Sequence, residues 1–586
     1  MGEREKDTQI KEKNLTPAKR NVLLLGLFLF ALCLKLFIFF TVSSPVIFFK
    51  YPFFADKINK GLDIGERIFD LSPLYLYGMV GLQKLYGPNW EAMVVFQILT
   101  GCLTVVFLFL IGERLFGRLV GVTAAVLLAL YGNLTLFEMT LEPDALLLFF
   151  NALFLLTLWK AEGQPSSRRK SLFWILAGVI LGLSIITKPN ALLFIPAVLV
   201  WTFWIVSGKK EKVRTALLLL AGLSLMVLPI TLRNYLVYHD PVLVTADFGK
   251  VFFHGNGPGA TGLERADLPE QGFMEESGEE PDYAHVLFRK TARAMTQRQL
   301  KPSECSRFWL EHTWDHLKTH PAEALTLGVK KALLLGLNYE VHDLDNNYAL
   351  YQTIRSWPLI PFGLLAAFGL LGMVLSRKHL KQTFWPLSMV GVYWLTGIIF
   401  FPASRYRLPS APFLALFAAY SFWVIIERLK VKDYKQGLLL AGIGLSLFLG
   451  SQLLFKQEVD ALDRWQQATR VHYNLRGNTF FKNGQYQKAM EEYQKAIALA
   501  PGFAPAYNQM GKCSALLNDL SSAEKYFQKV IQLTPTVDQG YRHLGFLYEL
   551  KGEFPQAIVY LKKAHSLNGS DQKVLQLLKR LQTDHP

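Results

Sequence analysis

Residues 21–42 read NVLLLGLFLFALCLKLFIFFTV. A helix crosses a bilayer with about 20 mostly apolar residues, so this run is long enough to span. It lacks a small-residue cleavage site and is longer than the core of a cleaved leader, so it reads as a retained anchor. Further apolar runs lie near Ala92–Ile111, Leu119–Leu136, Ala145–Trp159, Leu172–Ile186, Ala191–Val206 and Ala216–Leu232. Others lie near Leu359–Leu375, Phe384–Phe401, Phe413–Ile426 and Gly437–Phe455. The expectation is an all-α-dominated chain with a polytopic helical membrane domain of about eleven spans.

Composition agrees. The 586 residues are 51% hydrophobic and 18% charged, where a soluble domain carries about 25% charged residues. This excludes a disordered or fibrous chain and disfavours an ordinary soluble enzyme. The net charge of +16 would suggest nucleic acid in a soluble protein. Here it follows the excess of Lys and Arg in cytoplasmic loops. Lys19-Arg20, Arg114 with Arg118, Arg168-Arg169-Lys170, Lys209-Lys210 with Lys212 and Arg214, Arg377-Lys378, and Arg428 to Lys435 all fall on one face under eleven spans. The N-terminus is then cytoplasmic, and everything after Phe455 is extracytoplasmic. Four cysteines without paired spacing give no disulfide framework.

From about Arg470 a period of 34 residues appears. Gly477, Gly511 and Gly545 form one column, Ala489, Ala523 and Ala557 a second, Tyr493, Phe527 and Leu561 a third, and Pro501 and Pro535 close helices. These are the columns of the tetratricopeptide repeat. Three units and a capping helix from Gln572 form an α-solenoid. The domain reading is a cytoplasmic tail (1–20), a membrane domain (21–455) with an extracytoplasmic loop domain (233–357), a linker (456–469), and the repeats (470–586). The repeats bind a protein partner or serve as a spacer.

Charges at the outer ends of spans are the functional candidates, since ionisable groups near the bilayer are costly. Asp56 lies in Tyr51-Pro52-Phe53-Phe54-Ala55-Asp56-Lys57 and reads as a general base or a solvated loop residue. Glu138, Glu142 and Asp144 form a second acidic group; Asp144 also suits a helix N-terminus, and Glu142 is the preferred functional member. Lys188, Arg233, Arg405 and Arg407 are basic residues on a face otherwise poor in them, and suit phosphate oxygens. The alternative is snorkelling to headgroups. The glycines from Gly249 to Gly259 permit tight turns and close approach to a ligand. His312, His316 and His320 share a helix face, without a further ligand that would make it a metal site.

The stretch from Asn21 to Ile426 resembles the GT-C class of polytopic glycosyltransferases, specifically bacterial relatives of the dolichyl-phosphate-mannose protein mannosyltransferases. The resemblance rests on Asp56 followed by Ser72-Pro73-Leu74-Tyr75, on Thr187-Lys188-Pro189-Asn190, on Leu232-Arg233-Asn234-Tyr235, on Phe252 to Gly262, and on Arg405-Tyr406-Arg407-Leu408-Pro409. Asp56-Lys57 stands where many relatives have paired acids, and Gly255-Asn256-Gly257-Pro258 replaces Gly-Asn-Asn-Pro. The resemblance implies sugar transfer from a polyprenyl-phosphate donor, on the outer face of a bacterial plasma membrane, to a hydroxyl of a protein or glycan acceptor. Asp56 and Glu142 are then the expected catalytic acids. Lys188, Arg233, Arg405 and Arg407 would hold the donor phosphate, with Tyr75, Asn190, Asn234, Asn256 and Tyr406 lining the substrate. No cofactor is required, a divalent metal is left open, and no nucleic-acid partner is expected. The alternative is a polytopic transporter or flippase, or a membrane-anchored scaffold of cell-envelope glycan assembly.

Overall fold

The computed structural model describes residues 16–41, 50–87, 91–164, 167–263, 284–340, 351, 354, 357–457, 459–460, 470–499, 501–535, 538–567 and 572–584. These residues form two compact units, one ending at Val459 and one beginning at Asp460. The described elements are helical throughout.

The first unit opens with α1 (Pro17–Thr41), α2 (Lys50–Asn59), α3 (Pro73–Tyr86) and α4 (Glu91–Phe116). It continues with α5 (Arg118–Ala129), α6 (Gly132–Met139), α7 (Asp144–Glu162), α8 (Ser167–Thr187), α9 (Phe194–Ile205) and α10 (Lys209–Tyr238). Next come α11 (Phe248–Asn256), α12 (Ala284–Thr296), α13 (Pro302–Thr319) and α14 (Pro321–Leu334). It closes with α15 (Phe362–Leu375), α16 (Leu380–Ile399), the single turn α17 (Ser404–Arg407), α18 (Ala411–Lys430) and α19 (Tyr434–Leu453). Long apolar runs become helices because lipid offers the backbone no hydrogen bonds, so each N–H and C=O must pair within its own segment.

Eight described helices are long and apolar enough to cross a membrane, or nine if the bent pair α5–α6 is one span. The expected eleven differs at identifiable places. The run Leu119–Leu136 is broken, with α5 and α6 meeting at 53°. The run Ala191–Val206 starts as a 3-10 turn over Pro189–Leu193 and leaves only a short apolar helix. The stretch Phe362–Ile399 counts as one of the eight although a 3-10 turn at Ser376–His379 interrupts it. Its 38 residues would extend about 57 Å, against about 30 Å of hydrocarbon.

Burial grades these helices. The Ser404–Lys430 stretch is 78% buried and central, whereas Tyr434–Leu453 is 17% buried and α1 22% buried, both peripheral. Glycines bring the central backbones together. A Cβ on Gly178 of α8 would lie 2.1 Å from the Leu219 carbonyl oxygen of α10, and one on Gly222 would lie 2.1 Å from that of Ile175. A Cβ on Gly372 of α15 would lie 1.9 Å from the Phe417 oxygen of α18. Small residues at such crossings gain backbone packing where lipid gives no hydrophobic drive.

The glycine-rich element of the loop domain is largely helical, as α11. Its close approaches are to protein backbone: Cβ atoms on Gly249 and Gly255 would each lie 1.7 Å from a carbonyl oxygen, of Ser306 and Phe400 respectively.

In the second unit, helices pair as α20 (Arg470–Lys482) with α21 (Tyr486–Leu499), α22 (Ala504–Leu516) with α23 (Leu520–Leu533), and α24 (Asp538–Leu550) with α25 (Phe554–Leu567). The helix α26 (Gln572–Asp584) follows, with Val574, Leu578 and Leu581 buried. Two of the sequence columns touch. Cβ atoms on Gly477, Gly511 and Gly545 would lie 2.4, 2.5 and 2.6 Å from Tyr493, Phe527 and Leu561. The large residue of each second helix therefore fills the space that the glycine of its partner leaves.

The α8–α10 crossing generates a prediction. Gly222→Leu forces a side chain into the Ile175 carbonyl and should cost about 2 kcal/mol or more. Thermal unfolding of the purified chain in detergent should show a markedly lower midpoint. An unchanged midpoint would mean that the two helices do not touch there.

Candidate active site at the Glu142 turn

The turn between α6 and α7 carries the acidic group. Leu141 has φ 54°, in the left-handed region that a side chain with a Cβ adopts at a cost of about 1 kcal/mol. Glu142 follows, then Pro143, and Asp144 opens α7, where the helix dipole favours a carboxylate. Both acids are buried, Glu142 at 6% and Asp144 at 0% exposure.

Lys188 is the residue before Pro189, which forces an extended backbone there and ends α8. Its ammonium pairs with Asp144 Oδ1. Asp144 Oδ2 has no hydrogen-bond partner among the described residues. Lys188 Nζ also lies 5.7 Å from the centre of the Tyr406 ring, and the Arg405 guanidinium lies 5.2 Å from the same ring. Among the described residues Glu142 makes no ion pair, although Lys50, Arg405 and Lys188 act on it electrostatically. Burial pushes its carboxyl up to about 7; the three cations oppose that shift and Asp144 adds to it.

Neutral side chains hold this turn. Tyr75 Oη donates to Gln97 Oε1 at 2.6 Å, and Gln97 Nε2 donates to the Glu142 carbonyl at 3.0 Å. The Tyr51 ring meets Tyr75 edge-on at 4.6 Å, and its hydroxyl accepts the Ser72 amide at 3.2 Å. Ser72 Oγ donates to the Ile186 carbonyl at 3.2 Å, which ties the Ser72-Pro73-Leu74-Tyr75 segment to the end of α8.

The structure thus gathers five expected residues, Tyr75, Glu142, Lys188, Arg405 and Tyr406. Asn190 sits in the turn after Lys188, with its Oδ1 unpartnered among the described residues. Lys50, Tyr51 and Gln97 join this site without having been singled out from sequence. The first two lie on the buried face of α2, a face readable from the apolar positions Tyr51, Phe54 and Ala55.

Other expected residues lie elsewhere. Asp56 faces outward on α2, 44% exposed, and pairs with Lys60 at 2.7 Å. Arg233 donates to Tyr77 Oη at 2.9 Å and to its neighbour Asn234. Asn234 is buried and donates to the Val242 carbonyl at 2.7 Å, closing the turn after α10. Glu138 pairs with Lys35 of α1 at 2.6 Å, both fully buried, in space left by Gly101. This is an ionisable pair within the apolar helices.

Arg407 and Asn256 take part in a reciprocal lock. Arg407 is 0% exposed. It donates to the Leu337 carbonyl at 2.9 Å and to Glu340 Oε2 at 2.9 Å, and Tyr131 donates to Glu340 Oε1 at 2.7 Å. In the opposite direction, Lys331 of α14 donates to Asn256 Oδ1 at 2.7 Å and to the Phe400 and Ile398 carbonyls at 3.0 and 3.3 Å. Asn256 Nδ2 in turn donates to the Ile399 carbonyl at 2.8 Å. The segment from Ile398 to Arg407, which presents Arg405 and Tyr406, is fixed from both sides. Arg405 and Arg407 are two residues apart on one helical turn, so they face nearly opposite directions.

A second polar cluster joins the first loop to α11 and α12. Asp70 accepts from Arg289 at 2.6 and 3.0 Å and from Arg67 at 2.7 Å. His285 Nδ1 lies 2.9 Å from Asp247, and Glu66 pairs with Arg293 at 2.5 Å. Burial opposes ionisation of Asp70 and Asp247. The charges of His285, Arg289 and Lys250 outweigh it, so Asp70 lies well below the ordinary carboxylate range and Asp247 at about 2. Asp70, Asp247 and His285 offer atoms within 4.8 Å of one another, the spacing of a metal group. Both oxygens of Asp70 are nevertheless held by guanidinium groups. A dication there would meet those cations, so the donor set does not fit one as folded, and no catalytic step is assigned to a metal.

Residues 70–233 match the family model for dolichyl-phosphate-mannose-protein mannosyltransferases. The matched stretch lies within the first unit. The match includes Glu142, Asp144 and Lys188, and marks a membrane glycosyltransferase domain of the GT-C class. Residues 477–513 and 504–537 match tetratricopeptide-repeat models. Among solved structures, the apo oligosaccharyltransferase of Archaeoglobus fulgidus is similar at 13% identity and TM-score 0.41, over 75% of this chain and 56% of that one. The same enzyme tethered to an acceptor peptide is similar at 13% identity and TM-score 0.42, over 80% and 58%. The chain thus spans somewhat over half the length of these structures. No curated protein matches the sequence.

The lock that carries Arg405 generates a prediction. Burial pushes Lys331 down to about 7, from about 10.4 when unfolded. Between those values the unfolded chain binds the extra proton, so this group's contribution to stability rises with pH from about 7 to about 10. Melting of the wild type should gain on Lys331→Met as pH rises through that window. Parallel curves would contradict a buried Lys331.

Proposed function

We propose that the chain transfers a sugar from a polyprenyl-phosphate donor to an acceptor hydroxyl at the Glu142 turn. The observation that carries this reading is a buried carboxylate, Glu142, that lacks an ion pair among the described residues and sits in the field of Lys50, Lys188 and Arg405. A carboxyl poised near 7 suits a general base at neutral pH. Glu142 takes the proton of the acceptor hydroxyl, and that oxygen attacks the anomeric carbon. The bond from this carbon to the phosphate oxygen breaks with inversion, and polyprenyl phosphate leaves. Lys188 and Arg405 stabilise the charge that grows on the departing phosphate, a term often worth several kcal/mol. Asp144 holds Lys188 in place.

Of the two acids expected from the sequence, the geometry favours Glu142, because Asp56 is half-exposed and paired with Lys60. The donor's lipid chain would lie against the exposed apolar helix faces. The repeats would recruit a protein acceptor or partner, and lie outside the cytoplasm with the N-terminus inside. The transporter alternative needs mid-span groups free to exchange ions, and Lys35 and Glu138 are instead closed on each other.

The test is a transfer assay with the purified chain and a polyprenyl-phosphate sugar. Glu142→Gln should lower kcat about 100-fold or more, while Asp56→Asn retains most activity. Wild-type kcat/KM should rise with pH through about 7, as the base ionises. Full activity in Glu142→Gln, or loss confined to Asp56→Asn, would remove the assignment.

A further inference from the structure

At the ends of α8 and α10 opposite Lys188 lies a cavity of about 210 Å³. Its distance from Lys188 is close to the length of α8, 21 residues, or about 30 Å. Lys170, Arg214, Ser167, Ser171, Thr215 and Trp174 line it.

Several observations point to an anionic occupant. Trp174 is 3% exposed, and its indole N–H has no hydrogen-bond partner among the described residues. A buried donor of this kind is costly unless something accepts from it. Arg214 is held by Ser171 Oγ at 2.7 Å and Ser167 Oγ at 3.0 Å, so its guanidinium is fixed at the cavity. The helices α8 and α10 run parallel, since Gly178 meets Leu219 and Gly182 meets Leu223 in the same direction. Two helix N-termini therefore lie side by side, and their positive dipole ends repel unless an anion sits between them. The sequence adds positive charge at both ends, with Arg168 and Arg169 on one helix and Lys209, Lys210 and Lys212 on the other. Glu211, in the first turn of α10, also lines the cavity; it is 44% exposed and pairs with Arg214 at 3.3 Å. It offsets one of these charges.

We propose that this cavity is a phosphate-binding site, taking the phosphate of an anionic phospholipid headgroup or a free phosphate ion. Phosphate oxygens accept from the Trp174 N–H, the Thr215 and Ser167 hydroxyls, and the Lys170 ammonium, while Arg214 supplies charge. The site lies at the opposite end of α8 from the Glu142 turn and does not depend on the sugar-transfer reading.

The test uses the full chain in zwitterionic nanodiscs, with saturation binding of short-chain phosphatidylglycerol, short-chain phosphatidylcholine and inorganic phosphate. Saturable binding of phosphatidylglycerol over phosphatidylcholine would assign a lipid source; binding of inorganic phosphate alone would assign a free anion. In either case Trp174→Phe, which keeps the ring and removes the donor, should weaken binding about fivefold. Lys170→Gln with Arg214→Gln should weaken it about tenfold or more. Absence of saturable binding by any probe, or unchanged affinity in both variants, would overturn the proposal.

Discussion

The buried ion pair between Lys188 and Asp144 is the constraint on which the site depends. A charge removed from water costs several kcal/mol unless a partner compensates it. The molecule observes this rule repeatedly: Lys35 closes on Glu138, Arg407 on Glu340, and Arg289 on Asp70. Each pair joins segments distant in sequence, so charge pairing sets which turns meet. Glu142 departs from the pattern. Its carboxylate is buried among cations and, among the described residues, is bonded to none of them. Leu141, Pro143 and the Gln97 bridge shape the turn that places it there.

Function is also supported at a distance. The Lys331 and Arg407 lock does no chemistry in this account, yet it determines where Arg405 and Tyr406 can point. Each side chain satisfies carbonyls of the other's segment, so a buried cation becomes a strut. The Asp70 cluster acts similarly between the first loop and α12.

Much of this architecture was legible in the sequence. Apolar runs announced most membrane helices, and the 34-residue columns announced the repeats; the contact of the glycines with Tyr493, Phe527 and Leu561 comes from the structure. Tyr75, Glu142, Lys188, Arg405 and Tyr406, which the structure brings together, each lie near a proline or a span end, where local rules act. The distant partner of Asp70 was not readable, since Arg289 lies 219 positions away and no spacing encodes that contact. Arg407 could not share a phosphate role with Arg405, because two residues apart on one helical turn they face nearly opposite directions and Arg407 is held by Leu337 and Glu340. Asp56 shows a signal available but unused: Lys60 lies four residues on, the spacing of a solvent-side helical pair. Span number was least legible, because breaks such as that between α5 and α6 occur inside continuously apolar sequence.

The most direct measurement is an experimental structure of the full chain with polyprenyl phosphate bound. The phosphate should lie within about 3 Å of both Lys188 and Arg405, beside an unpaired Glu142. A phosphate seated instead on the Arg289 and Arg293 cluster, or beside Arg233 and Tyr77, would contradict it.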